Sequence, residues 1–269
     1  MPIAAFEKWL KVVSNLRVDR KGSIAPHKPL LLLVLAELTE EGKLLNRTLP
    51  LTGELVFRFL AYGTVVAERR SQRLDIYPPF FHMRSDGYWT PLDEKGQPTL
   101  ERRRAVAAQL DTTFLACLND ADFRNQMRRI LIAKYFIDPG ERVALYQLVG
   151  LSVPPDPIVK EDARLYETSR ERGREARFRL TVVPAYNYTC ALSQYRLVTV
   201  DSGSIVDAAH IISSPIARTT TLATELRCVR MPTGCSTRAF GHWTMSIVSL
   251  WLQSGSMNLA RRRYFRHSK

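Results

Sequence analysis

Apolar residues recur at helical spacing at the start of the chain, where Phe6, Leu10 and Val13 of IAAFEKWLKVVSNL share one stripe. Gly22, Pro26 and Pro29 mark a loop after it. Residues 30–38 are apolar but for Glu37 and the run stops near Gly42, which predicts a helix at the centre of the N-terminal core. The stretch IYPPFFHMRSDGYW, residues 76–89, has another pattern. Its tandem prolines predict extended backbone, and SDG predicts a turn, so FFHM and YW are expected as a hairpin around residues 85–87. Helices are expected again over residues 99–150, in TLERRRAVAAQL and DADFRNQMRRILIAKYF. LSVPPDPIVKED carries three prolines and reads as a linker, with a charged helix from Asp162 to about Leu180 after it. Residues 186–212 predict two short strands around a turn, with His210 on the second strand and apolar residues directly behind it. From Ser213 neither the helical nor the strand period continues.

Charge changes this picture more than composition does. The hydrophobic fraction of 45% and charged fraction of 24% are ordinary for a globular protein of 269 residues, a length that admits two domains. The balance of 39 Lys+Arg against 26 Asp+Glu gives +13, which points to a polyanionic partner such as DNA. The longest apolar run, residues 30–36, is too short to cross a bilayer, and the N-terminus lacks the basic-then-apolar pattern of a secretion signal. Four cysteines without a CxxC pair argue against a zinc knuckle and a disulfide framework, so a cytoplasmic location is expected.

Two places carry candidate chemistry. His27 and Lys28 precede Pro29 at the predicted start of the apolar helix, where free backbone N–H groups welcome an anion; His27 reads equally as a structural cap. The aromatics of residues 76–89 read equally as core, whereas Pro78, Pro79 and His82 are harder to explain that way. The arginines at 102–104 and 128–129 suit a DNA path or a solvated helix face alike.

APHKPLLLL followed about fifty residues later by YPPFFHMRSDGYW resembles the sulfur-binding domain of HNH restriction endonucleases, which recognise phosphorothioate-modified DNA. The resemblance covers roughly residues 1–150. It implies an apolar pocket for the sulfur built from Tyr77 or Pro78 with Pro79 and His82, two prolines here following the tyrosine. It also implies a phosphate contact from Lys28 beside His27. Sulfur is larger, more polarizable and a poorer hydrogen-bond acceptor than the oxygen it replaces, so a dry pocket of proline and aromatic carbon favours it. An unpaired acceptor in such a pocket costs roughly 1–3 kcal/mol, which is about ten- to a hundredfold in selectivity. Lys28 and Arg84 would add affinity without reading sequence.

REARFRLTVVPAYNYTCALS and VDAAHII resemble the opening of HNH nuclease domains, with Cys190 in the turn and His210 as the first histidine. The resemblance implies a ββα-metal unit in which His210 takes a proton from water and a divalent ion, Mg or Mn, neutralises the phosphate. Asp207 is a weak candidate metal ligand, because residues three apart project to opposite faces of a strand. The Asn and second His of the motif are missing after Ser213. Shifting the reading frame of the codons for residues 218–241 by one base permits DDDPRNGIALCPNAHWLFDAGLW, which holds both in family order. A single frameshift between about residues 212 and 218 accounts for this.

The expected fold is α+β: a mainly helical DNA-reading domain with a small hairpin (1–150), a linker (151–175), the first half of an HNH domain (176–212) and an out-of-frame tail (213–269). The implied function is that of an HNH-family restriction endonuclease on double-stranded, phosphorothioate-modified DNA, a possible homodimer, inactive as translated. The alternatives are a non-catalytic reader of modified DNA and an HNH nuclease that reads a methylated base.

Overall fold

Helix α2 (His27–Glu40) is the axis of the molecule: every residue from Leu30 to Ala36 is buried, as a helix without a polar face requires. The computed structural model describes residues 3–20, 24–44, 46–66, 74–154, 163–210 and 225–229. Around α2 pack α3 (Gly53–Gly63), the short α4 (Tyr77–His82) and α6 (Ala121–Tyr135). Helix α1 (Ile3–Ser14) lies against α6 and against α5 (Thr112–Leu118). Helix α7 (Pro139–Leu148) completes the N-terminal part, and α8 (Ala163–Ala185) packs along it. A three-stranded antiparallel sheet, order β1–β3–β2, joins β1 (Thr48–Pro50), β2 (Trp89–Leu92) and β3 (Ala107–Leu110). Thr48 pairs with Gln109 and Trp89 with Leu110, and Ala108 and Leu110 turn inward. The fold is therefore helix-rich α+β, as expected.

Three local expectations differ from the structure. The segment YPPFFH is helix α4, followed by a 3-10 turn over Met83–Asp86, so no hairpin forms around residues 85–87. The first turn of a helix has no use for its N–H groups, so the two prolines initiate α4 instead of extending the chain. Gly87, at φ +86, then releases the backbone into β2. Within TLERRRAVAAQL the arginines 102–104 form a 3-10 turn and AAQL is strand β3, paired on both sides. After Ser213, residues Glu225–Val229 form β7, antiparallel to β6 (Val206–His210), where no strand period was expected.

The charged helix predicted from Asp162 is α8, and it is more than a connector. Gly173 lies so close to α7 that a Cβ there would stand 2.3 Å from the Ala144 carbonyl oxygen. Beyond α8, a hairpin of β4 (Val198–Thr199) and β5 (Gly203–Ser204) sits on α3. A Cβ on Gly53 would be 2.6 Å from the Thr199 carbonyl oxygen, and one on Gly203 2.8 Å from the Phe57 Cα. Tyr188 packs edge-on against Phe57, with ring centroids 5.4 Å apart. One hydrophobic cluster runs from Trp9 to Tyr188, so the residues expected to open a second domain share the core of the first. Residues 155–162, the middle of the expected linker, lie outside the described residues.

Candidate functional site

The two motifs singled out near residues 27 and 77 meet in space. Lys28 is only 7% exposed, and its Nζ donates to Asp86 Oδ2 at 2.5 Å and to Ser85 Oγ at 3.0 Å. Asp86 also accepts from the Arg17 backbone N–H at 3.1 Å. The start of α2 is thereby tied to the turn that follows α4. The ammonium of Lys28 is engaged in a buried ion pair that joins the two motifs. Asp86, the residue sequence reasoning missed, is the acidic member of SDG directly before a glycine. Its pairing with a lysine fifty-eight positions away has no local signal.

Helix α4 divides its residues between core and solvent. Pro79, Phe80 and Phe81 are buried, with Phe80 edge-on to Trp89 at 5.1 Å. Pro79 is therefore buried, behind the more open Pro78. Pro78 and His82, one helical turn apart, share the outer face, and Tyr77 is half-buried beside them. The Tyr77 backbone N–H donates to Asp75 Oδ1 at 2.9 Å. Arg84 is exposed, its guanidinium 4.3 Å above the Phe81 ring, a stacking that fixes a charge others need not neutralise. His27 is partly buried in the first turn of α2.

Lys28, Arg84 and Arg102 gather at this face, and Asp86 and Asp75 pair with two of them. His82 is held below the ordinary imidazole value, first by desolvation and then by Lys28, Arg102 and Arg84. It is accordingly neutral near pH 7, and the charge of the face comes from the arginines. Arg102 reaches the site from the turn before β3 and pairs with Asp75 at 3.4 Å, both side chains nearly half exposed. Exposed pairs of this kind are weak, so Arg102 can exchange a carboxylate for another anion. The arrangement is an apolar step of proline and imidazole beside two guanidiniums.

The second constellation is only partly described. His210 ends β6, its backbone opposite Glu225, and its side chain lies outside what the structure describes. Asp207 faces Arg179 of α8, with Nε 2.7 Å from Oδ1, and the same oxygen accepts the Ala208 N–H at 2.9 Å. Among the described residues no three His, Cys, Asp or Glu side chains converge on a point that would hold a metal ion. Cys190 is buried in its turn, its sulfur accepting from the Ser193 N–H at 3.4 Å. No helix among the described residues is long and apolar enough to cross a membrane.

In comparisons with known proteins, no family model matches the chain, and no curated protein matches it.

Proposed function

We propose that this protein binds double-stranded DNA and reads a modified sugar–phosphate backbone, phosphorothioate being the modification its surface suits best. One observation carries the reading: two motifs about fifty residues apart form one face, with Arg84 and Arg102 beside an apolar step of Pro78 and His82. The formal charge of +13 supports a polyanionic partner. Desolvation on such a step disfavours an oxygen more than a sulfur. Arg84 and Arg102 supply attraction that is blind to sequence.

The segment through His210 resembles half of an HNH nuclease, and a restriction endonuclease is the family function we infer. The Asn and second His of that motif are missing from the sequence after Ser213, so no catalytic step is assigned and little or no cleavage is expected of this translated form. The engagement of Asp207 by Arg179 favours the second reading, a reader of modified DNA without chemistry. A homodimer and a cytoplasmic location accompany the family reading.

Competition between phosphorothioate and unmodified duplexes of one sequence tests the reading of the backbone. A preference of about ten- to a hundredfold is expected, and equal affinity would remove the sulfur claim. His82→Ala should erase the preference and leave salt-sensitive binding to both duplexes. Incubation with Mg or Mn and a supercoiled modified plasmid separates nuclease from reader, since nicking would overturn the inactive assignment.

A further inference from the structure

The connection from β2 to β3 holds one apolar side chain out in water. Asp93 Oδ1 accepts from the Lys95 and Gln97 N–H groups, each at 2.9 Å, which closes the turn that leaves β2. The Thr99 N–H then donates to the Pro91 carbonyl at 2.9 Å, and the Val106 N–H to the Leu92 carbonyl at 2.9 Å, so both ends of residues 99–106 are tied to β2. Between these ties Thr99 Oγ1 accepts from the Glu101 N–H at 3.1 Å, and the Glu101 carbonyl accepts from the Arg104 N–H at 3.1 Å. Leu100 stands inside this pinned segment and is 82% exposed, more than any other large apolar residue among those described.

A single exposed leucine is ordinary on a protein surface, but the company of this one is not. Arg102, Arg103 and Arg104 follow it after one residue, and all three are exposed. Arg102 pairs with Asp75 at 3.4 Å, and Arg104 with Glu101 at 3.5 Å and Asp93 at 3.7 Å. Arg103 has no carboxylate partner among the described residues. The arginine turn packs beside α4, and two residues of chain, a reach of roughly 7 Å, separate Leu100 from Arg102. We propose that Leu100 enters a groove of bound duplex DNA, where its side chain meets base and sugar edges while the arginines after it take adjacent phosphates. This rests on the reading of the chain as a DNA-binding protein given above. Leucine gains by leaving water under any cover, but a cover that also suits three guanidiniums must set apolar edges between regular negative charges. A duplex groove does so. The backbone is pinned at both ends before DNA arrives, so binding adds little ordering cost.

The test measures dissociation constants of the full chain for phosphorothioate and unmodified duplexes of one sequence over a range of salt. Leu100→Ser should weaken both duplexes about five- to thirtyfold. It should leave the salt dependence of the affinity unchanged, because no charge is lost. Leu100→Met, which keeps an apolar side chain of similar volume, should bind within about twofold of the wild type. Arg103→Ala should instead lower the slope of log affinity against log salt by about one. Urea unfolding of Leu100→Ser should coincide with that of the wild type, as befits a side chain already in water, and a lower midpoint would make the loss structural and overturn the contact. An unmoved affinity in Leu100→Ser, or a loss that comes with a shallower salt slope, overturns the role of Leu100 and leaves the reading of DNA in place. Failure of the wild type to bind either duplex overturns that reading and this role with it.

Discussion

At the scale of single residues, two buried charge clusters decide how the protein responds to mutation and pH. The pair Lys28–Asp86 is almost wholly out of water, so removing one partner strands the other. Lys28→Met should cost about 3–5 kcal/mol in urea unfolding, and the double variant with Asp86→Asn should recover much of that loss. The second cluster surrounds Arg58, only 1% exposed, which pairs with Glu37 at 2.6 Å and with both oxygens of Glu41. Desolvation dominates at Glu37; Arg58 opposes it, Glu41 reinforces it, and the carboxyl is pushed up to about 7. Burial works against the charge of Glu41 too, yet hydrogen bonds from Arg58 and Lys43 outweigh it and hold that carboxyl below its ordinary value. The folded state thus binds a proton at Glu37 that the unfolded chain releases near its ordinary value. The stabilisation from Glu37 is fully present below that value and is lost as pH rises through about 7. Glu41 contributes in the opposite sense, losing stability as pH falls through its depressed value. Glu37→Gln should flatten the decline between pH 5 and 7 that equilibrium unfolding shows for the wild type, an effect on the order of 2 kcal/mol.

At the scale of elements, close backbone contacts control how the C-terminal segments are seated. Gly203→Ala adds a Cβ 2.8 Å from the Phe57 Cα at a residue with φ +68. It should destabilise the protein by about 1–3 kcal/mol, and hydrogen exchange should show residues 198–204 opening first. Elements whose own pattern suffices were legible in the sequence. α2 is apolar on every side from Leu30 to Ala36, and α6 begins at the Asp120 cap, whose side chain accepts from the Asp122 and Phe123 N–H groups. α8 was legible as a charged helix. The short elements were not. Prolines 78 and 79 are compatible with extended chain and with a helix start, and only the burial of Phe80 and Phe81 beneath them decides for the helix. Strand β3 has four residues, and its identity comes from two partners distant in sequence. The candidate site was legible as two motifs, but not the carboxylates that organise it: Asp75 and Asp86 are unremarkable acids until folding places them.

At the scale of the whole molecule, the continuous core from Trp9 to Tyr188 predicts one cooperative unfolding transition where the sequence suggested two units. Calorimetric and van't Hoff enthalpies should agree, and a separate low-temperature transition for the residues after 163 would overturn this. The frameshift inferred from the codons has its own check, since gene sequence across codons 205–225 should show the slip, and an intact single frame in independent isolates would remove it. The seating of the β4–β5 hairpin on Gly53 has a consequence for engineering and for descent. Alanine is the better helix former at the first residue of α3, yet here it would collide with the Thr199 carbonyl. The same substitution should harm the full chain and help a variant from which residues 198–203 are deleted. The sign of that one change therefore reports whether the hairpin is in place, and any lineage that loses the hairpin is freed to lose the glycine.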